Sequence, residues 1–460
     1  MFIKRIFSGY LRLCLLLCLM AIAQATIMQV KVVKAAEAVS EPTEEDANFG
    51  EVYDVRSISR EPDEETFIPV QDRQFPDLSP KGVIIGKLNV LPKLSFESRY
   101  NDNLYATNDD ETSDLSEHII PAITIRTLQD RHFFGLQANA EIIKHLEQTS
   151  EDRENYFVSA GGYFEARHDL LLPYNLTYTV NHQNRTDNLS RVFTREPLEI
   201  AELVAEAGVA YKPNRIGLSA TGRHIRKRFD DGVSLQDPTV RVVKSDADFN
   251  TNELELEATY EFPVNHTAFI RGIAGKTEFE DSIYDDGSNT YTGTFRDSVN
   301  GRILAGIITN YKGIVLSDIG IGYATADYDD DTIEDVSSFA VDADIDWNIT
   351  KLTTLGLNVT RSIVQDNEII QGIVQTAGTF AVDHELQRNL LLNGYITYLN
   401  RDFENITRED DLYRLGLGVL YRPSPYFNIK GEYIHTNQDS TLAGNEFDQN
   451  IFMVRLTGQY

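Results

Sequence analysis

Apolar and polar residues alternate with a period of two along most of this chain. In residues 253–262 the even positions are apolar, and four of the five odd positions are glutamate. Residues 339–347 repeat the pattern, with aspartate at three of the intervening positions. Because successive side chains of a β-strand point to opposite faces, this period predicts strands with one apolar and one polar face. No stretch has a convincing helical period, so we expect an all-β chain.

From residue 87 onward the alternating segments are separated by connections of two kinds. Eight are short, and nine are long and rich in acidic residues, in strict alternation; the long ones include 401–411 and 436–449. Such a series joins about eighteen strands and leaves both ends on the short-turn side. Each apolar row has the length that a tilted strand needs to cross a bilayer. We therefore predict a single antiparallel transmembrane β-barrel over residues 87–460.

A soluble β-sandwich is the main alternative for a chain of many strands. It is disfavoured because every strand carries a polar face, whereas a sandwich needs a shared dry core between its two sheets. Barrels of about sixteen to eighteen strands instead enclose an aqueous channel. We expect the polar rows to face that water and the apolar rows to face lipid.

Residues 451–460 continue the alternation up to a terminal tyrosine. The apolar row of this segment consists of Phe452, Val454, Leu456 and Tyr460. A terminal aromatic residue at this spacing resembles the C-terminal signature of bacterial outer-membrane barrels. We predict that these residues are an assembly signal for the barrel-assembly machinery, and that the last strand pairs with residues 93–100 to close the barrel.

The N-terminus has the layout of a secretory signal peptide. A basic start is followed by an apolar run that ends in an A-x-A motif, which predicts a signal peptide over residues 1–25, with cleavage as late as residue 36. A membrane anchor is the alternative. Both cysteines, Cys14 and Cys18, lie in this segment. We therefore expect the mature chain to contain no thiol.

Residues 37–86 mix acidic clusters with prolines and have little periodicity. This composition is typical of an irregular segment, and we predict an acidic periplasmic tail. A plug that folds into the lumen is the alternative, and the apolar patch at residues 67–70 is the part suited to docking.

Two motifs resemble those of a known family. Residues 94–105 read LSFESRYNDNLY and contain a Y-x-D-N motif. Residues 421–426 read YRPSPY and precede the sequences Gly431-Glu432-Tyr433 and Asp439-Ser440. From about residue 92 to its end the chain resembles the Putative beta-barrel porin 2 family of Gram-negative outer membranes. The resemblance implies the first strand and the last hairpin of a barrel at these motifs.

The resemblance also implies a function. Family members are often associated with export of exopolysaccharide or capsule, together with a periplasmic polysaccharide-export protein. We therefore expect a polysaccharide-export channel in the cell outer membrane, in contact with outer-membrane lipid and lipopolysaccharide. A general diffusion porin for small solutes and a barrel-embedded hydrolase are the alternatives. The formal net charge of −29 argues against a nucleic-acid partner, which requires a basic surface.

No catalytic or metal-binding constellation stands out in the sequence. The nine histidines are scattered, without an H-x-x-x-H or HExxH pattern. Ser440 beside Asp439 and His435 is the nearest candidate triad, and no oxyanion-hole signal accompanies it. We expect no enzyme activity, no cofactor and no metal site.

The charged rows on the polar faces are the candidate functional residues. We predict that the pore is lined by Glu253, Glu255, Glu257, Glu261, Asp342, Asp344, Asp346, Arg414, Arg422, Lys430 and Arg455. Closely spaced like charges are costly unless water, cations or basic neighbours screen them. Rings of charge set selectivity in channels, so an acid-rich lumen would favour cations. Simple solvation of a polar wall is the alternative.

Overall fold

The computed structural model describes residues 67–460 apart from 74, 130, 188–193, 236, 238, 264, 286–289, 365–371 and 405. The predicted signal peptide and the predicted tail up to residue 66 lie outside the described residues. No helical segment in the described ranges has the length and hydropathy of a transmembrane helix. The described part of the chain contains three short 3-10 helices, at Thr149–Glu151, Arg185–Asp187 and Ser245–Ala247.

The described chain forms a closed barrel of 18 antiparallel strands with one short extra strand. In chain order the barrel strands are β1 Leu88–Asn101, β2 Asp114–Thr127, β3 His132–His145, β4 Arg153–Arg167, β5 Leu170–His182, β6 Glu199–Tyr211, β7 Ile216–Phe229, β8 Phe249–Glu261, β9 His266–Phe279, β10 Ser298–Tyr311, β11 Val315–Tyr328, β12 Val336–Thr350, β13 Thr353–Val364, β14 Ile373–Gln387, β15 Leu390–Phe403, β16 Arg408–Ser424, β17 Phe427–Ser440 and β18 Phe447–Gln459.

Each strand pairs with the next, and β18 pairs with β1 to close the ring. At this seam Lys93 lies opposite Gln459, and Asn101 lies opposite Ile451. The predicted all-β barrel and its closing pair are therefore confirmed. The extra strand Val83–Ile85 forms a hairpin with the start of β1, where Val83 lies opposite Val90.

In the described residues, two of the long loops each contain a short two-stranded ribbon. Gly232–Val233 pairs with Arg241–Val242 in the loop between β7 and β8. Tyr284–Asp285 pairs with Thr290–Tyr291 in the loop between β9 and β10. We call the two ends of the barrel the long-loop end and the short-turn end.

The two faces of the sheet differ as the alternation predicts. In β8 the side chains of Leu254 and Leu256 are 50% and 53% exposed, whereas Glu257 in the same strand is 4% exposed. The ion pair between Arg271 of β9 and Asp342 of β12 identifies the inner face. Two strands separate these residues, and side chains reach across them on the concave side. The apolar rows therefore cover the outside of the barrel and the polar rows line the inside.

The strands extend further than the alternation indicates. The predicted long loop 401–411 is reduced to residues 404–407, and the predicted loop 436–449 is reduced to 441–446. Asp410 of β16 lies opposite Ser440 of β17 within the continuing ladder. At the long-loop end both faces of a strand are polar, so the alternation disappears although the backbone pairing continues.

Candidate functional site on the inner wall

The glutamate row of β8 lies between basic side chains of the two neighbouring strands, β7 and β9. Arg223 of β7 lies opposite Glu206 of β6 and opposite Glu253 of β8. Its guanidinium forms an ion pair with the Glu206 carboxylate and, through Nη1, with Glu253 Oε2 at 2.9 Å. Lys227, four residues further along β7, is 3.4 Å from Glu202 Oε2. The basic row of β7 therefore neutralises carboxylates on both sides.

Arg271 of β9 supports the other side of the same row. Its Nε is 2.9 Å from Glu257 Oε2 and 3.8 Å from Glu255 Oε1. Its Nη1 is 3.6 Å from Asp342 Oδ2 on β12. A single guanidinium thus joins carboxylates from strands on both sides of it. The fourth glutamate, Glu261, is 3.1 Å from Lys212 Nζ in the turn after β6.

The ion pair between Arg271 and Asp342 lies over a cluster of apolar side chains on the inner wall. The ring of Phe269 is 5.2 Å from the Arg271 guanidinium carbon and lies over Gly306 and Gly320. A Cβ on Gly306 would come within 2.4 Å of the ring, so the absence of a side chain makes room for it. Leu304, Ala324 and Ala340 complete the cluster with Phe269. Small residues on β10 to β12 therefore let large side chains lie flat against the wall.

Acidic side chains dominate one sector of the inner wall. Strands β11, β12 and β14 contain no lysine or arginine. We call the inner faces of β11 to β14 the acidic arc; its carboxylates are Asp318, Asp342, Asp344, Asp346, Asp383 and Glu385. Asp344 accepts a hydrogen bond from Asn358 Nδ2 at 3.2 Å. The three predicted aspartates are thus neighbours on one strand of this arc.

The predicted basic residues lie together in a different sector. We call the inner faces of β16 to β18 and β1 the basic arc; its cations are Arg408, Arg414, Arg422, Lys430, Arg455, Lys93 and Arg99. Arg414 Nε donates to Thr436 Oγ1 at 3.2 Å. Lys430 and Arg455 lie opposite each other, and Lys430 Nζ is 2.9 Å from Glu432 Oε2. The main-chain N–H of Arg422 donates to Asn389 O at the short-turn end.

Glu97 holds the basic arc together and is not among the predicted pore-lining residues. Its side chain is almost fully buried, and Oε2 is 2.6 Å from Arg455 Nε while Oε1 is 2.7 Å from Arg99 Nη2. Glu97 lies directly opposite Arg455 in the seam register. The sequence predicts that β18 pairs with β1, and the register of that pair was the signal from which the contact between Glu97 and Arg455 could have been predicted.

A second buried network ties the long loops together. Arg185 Nη2 is 2.5 Å from Glu151 Oε1, and the Glu151 side chain is fully buried. Asp114 accepts main-chain N–H groups from Leu115, Glu147 and Gln148. These contacts join the loops that follow β1, β3 and β5. No sequence pattern indicated them because the partners come from different loops.

The outer side of β18 carries the predicted assembly signal. Phe452 and Val454 are 53% and 54% exposed, and Leu456 and Tyr460 are also exposed. The Tyr460 ring stacks on Tyr426 with centroids 5.7 Å apart. The apolar row thus lies on the outer surface beside the seam.

The candidate triad is not assembled. Ser440 Oγ donates to Asp410 Oδ1 at 2.5 Å, and His435 Nδ1 is 3.0 Å from Asn450 Oδ1. Ser440 is also the last residue of β17, not part of a long loop as expected. Among the residues that the structure describes, no group of three or more His, Cys, Asp or Glu side chains is arranged to hold a metal ion.

Comparison with known proteins gives one family and several remote structural neighbours. The Putative beta-barrel porin 2 family matches residues 76–460. Pseudomonas aeruginosa OpdL is 11% identical, with 82% of this chain and 99% of that chain covered and a TM-score of 0.43. Pseudomonas aeruginosa OpdK, solved with vanillate, is 12% identical over 81% of this chain and 99% of its own, with a TM-score of 0.42.

A third neighbour is the ferric enterobactin receptor PfeA of Pseudomonas aeruginosa in complex with BCV-L6. It is 7% identical, with 81% of both chains covered and a TM-score of 0.43. No curated protein matches the chain. Similarities this remote give no indication of what passes through the barrel.

Proposed function

This chain belongs to the Putative beta-barrel porin 2 family, and from that premise we propose that it is an outer-membrane channel that passes a polysaccharide outward. The exposed apolar belt and the polar interior support a position in a membrane, because only closed barrels and helices satisfy their backbone groups in lipid. The long loops would then face outward and the short turns would face the periplasm.

The observation that carries the proposal is the pairing of charge along the inner wall. Carboxylates of β6 and β8 form ion pairs with Arg223, Lys227 and Arg271, so part of their negative charge is compensated locally and the wall offers many hydrogen-bonding groups. Hydroxyl pairs continue this surface: Ser95–Thr457, Ser159–Thr177, Thr251–Thr277 and Thr379–Thr397. Such a wall suits a neutral polymer rich in hydroxyl groups.

The acidic arc sets a further condition on the polymer. Its six carboxylates lie on strands β11, β12 and β14, which lack lysine and arginine, and cations from other parts of the chain pair with two of them, Arg271 with Asp342 and Arg73 with Glu385. Like charges repel, and the repulsion is stronger near a low-dielectric wall than in bulk water. A strongly anionic polymer would be opposed there, so we propose a neutral or weakly charged cargo.

Transport of matched oligosaccharides tests the proposal. The purified barrel is placed in liposomes, and influx of neutral dextran oligomers of graded length is compared with influx of their sulfated counterparts. We expect the neutral series to enter well beyond the length of a disaccharide and the sulfated series to be retarded. A sharp cut-off at small sugars would instead favour the general diffusion porin, and shortening of the oligomers would favour the hydrolase.

Export itself is tested in the bacterium that carries the chain. Deletion of the gene should remove a polysaccharide from the cell surface, and the intact gene should restore it. A surface polysaccharide unchanged by deletion would contradict the export direction, even if the barrel conducts ions in a bilayer.

A further inference from the structure

Residues 67–73 and 75–77 lie along the short-turn rim of the barrel, from the turn between β10 and β11 to the turn between β14 and β15. Phe67 lies at the turn between β10 and β11, where its N–H donates to Lys312 O at 3.1 Å. Asp77 lies at the turn between β14 and β15, where Arg388 Nη2 is 2.9 Å away. The chain then reaches β1 through the short strand Val83–Ile85. In a ring of 18 strands, β10 lies opposite β1, so this path covers half the circumference. We call residues 67–73 and 75–77 the rim segment.

The centre of the rim segment is held on the inner face of the wall. Val70 is 2% exposed, and its N–H donates to Thr354 Oγ1 at 2.9 Å. The Thr354 hydroxyl in turn donates to Asn348 Oδ1 at 2.6 Å, and Asn348 Nδ2 donates to Gly313 O at 2.6 Å. Thr354 and Asn348 belong to the inward rows of β13 and β12. The rim segment therefore lies inside the mouth and not on its outer surface.

Ion pairs hold the other half of the rim segment. Arg73 Nη1 is 2.7 Å from Glu385 Oε2, an inward carboxylate at the short-turn end of the acidic arc. Arg388 pairs with Asp77 and lies 5.1 Å from the centre of the Phe75 ring. The Arg388–Asp77 pair is more than half exposed on both sides. Exposed pairs of this kind contribute little to stability, so this attachment is weak.

These contacts differ from those of a barrel strand. A strand is held by a continuous ladder on both sides, whereas the described contacts of the rim segment with the wall are separate hydrogen bonds and ion pairs at three turns. The segment also covers the acidic arc at the point where a solute would enter from the short-turn side. Separate, mostly polar attachments at a channel mouth allow a segment to leave and return without unfolding the barrel.

We propose that the rim segment is a movable gate at the short-turn mouth, and that the structure shows its closed position. This inference rests on the proposed channel. The Arg73–Glu385 pair is the main electrostatic clamp, and Val70 is the apolar anchor. Release of the segment widens the mouth and uncovers the acidic arc.

Cysteine accessibility measures the motion directly. Val70→Cys is introduced with Cys14 and Cys18 replaced by serine, and labelling by a maleimide is followed in the full barrel. Adding Arg73→Glu should speed labelling about tenfold, because it turns a charge-assisted bond into a repulsion with Glu385. Arg73→Glu combined with Glu385→Arg should restore slow labelling. Arg167→Glu is the matched control, since it breaks a rim ion pair with Asp169 that does not involve the rim segment.

Conductance measures the gating. In planar bilayers Arg73→Glu should raise the conductance or the open fraction, and the charge-swapped pair should return it to the original level. A disulfide between Val70→Cys and Thr354→Cys should lower conductance until it is reduced. The N–H to Oγ1 contact places the two Cα atoms within disulfide range.

The outcomes separate the gate from the channel. A conducting barrel whose conductance is the same in the oxidised, reduced and Arg73→Glu forms would overturn the gate and leave the channel standing. Equal labelling rates of the Val70→Cys variant with and without Arg73→Glu would also overturn the gate. A purified barrel that conducts no ions in any of these forms would contradict the proposed channel and the gate together.

Discussion

The carboxylate of Asp102 accepts hydrogen bonds from both the main-chain and the side-chain nitrogen of Asn450, at 2.6 and 2.8 Å. The two residues lie on opposite sides of the seam between β1 and β18. The neighbouring Asn103 donates through Nδ2 to Asp448 O at 2.7 Å, and its own carbonyl accepts from Gln449 Nε2 at 2.8 Å. The aspartate and asparagine of the Y-x-D-N motif thus join the first strand to the last at the long-loop end.

Asp102→Ala should weaken the seam. The substitution removes two acceptors and leaves the Asn450 N–H groups to find water, which we expect to lower the free energy of unfolding by about 1–3 kcal/mol. Denaturant unfolding in lipid vesicles measures the loss. Asp109→Ala is the matched control because Asp109 is an exposed aspartate in the same loop. Equal loss in the two variants would contradict a specific role of Asp102 at the seam.

Replacing Glu253 and Glu257 with glutamine should shift ion selectivity toward anions. Both carboxylates are within 2.9 Å of an arginine nitrogen, so their neutralisation leaves the charge of Arg223 and Arg271 less compensated. The reversal potential in a salt gradient measures the change. Glu111→Gln, an exposed loop glutamate, should leave the potential unaltered. If the double variant behaves like that control, these residues do not line the conducting path.

Gly306→Ala should destabilise the barrel. An added methyl group would meet the Phe269 ring at 2.4 Å and the Ile319 carbonyl oxygen at 2.1 Å, so the ring and the backbone would have to shift. Overpacking of this kind costs about 1–3 kcal/mol. Gly272→Ala is the control, since a Cβ there meets nothing within 4 Å. Unfolding midpoints measured side by side should fall for the first variant alone.

As the pH falls, the loop between β7 and β8 should lose hydrogen bonds only when Asp231 becomes protonated, which happens below its usual pKa. Burial raises the pKa of this carboxyl, but hydrogen bonds from the Ser245 and Lys244 N–H groups outweigh it and hold the pKa below its usual 3.8. With a lowered pKa in the folded loop, the stabilisation is present above pH 3.8 and is lost as the pH falls through the folded value. Amide hydrogen exchange at Lys244 and Ser245, corrected for intrinsic rate, should show this loss.

Asp231→Asn is the comparison for the same measurement. It should give weaker protection at neutral pH, with little further loss in acid. The pKa of the nearby Asp246 is shifted in the opposite direction. Burial raises it, despite a hydrogen bond from the Tyr284 N–H and the charge of Arg296. As the pH falls, Asp246 is therefore protonated before Asp231, and its protonation does not reduce the stability of the loop. Protection that disappears in wild type well above pH 4 would contradict the assignment to Asp231.

Alternation along the chain was sufficient to predict the strands and the seam. Once β18 is set against β1, the pairing of Glu97 with Arg455 follows from the register. The same holds for Arg223, which lies opposite Glu206 and Glu253. These contacts are between adjacent strands, where sequence position fixes spatial position.

Other features could not be read from the sequence. Alternation does not predict the start of β16 or the end of β17, because around Asp410 and Ser440 the residues on both faces of the strand are polar. Val70 contacts a residue 284 positions away, and Arg73 contacts one 312 positions away. Nothing in an acidic, proline-containing segment indicates such partners. The separation of acidic and basic arcs likewise emerges when the strands are arranged around a ring.

The seam also constrains the order of events in making this protein. The bond from Asp102 to Asn450 joins residues 348 positions apart, so β1 cannot pair with β18 until nearly the whole chain has been synthesised. During that interval β1 and the growing end of the sheet both present unpaired backbone groups, which are open to association with other chains. Long-range pairing of this kind is slow because loop closure precedes the stabilising contacts. The order of assembly therefore follows from the seam: the free edge of β1 stays unpaired until β18 has been made.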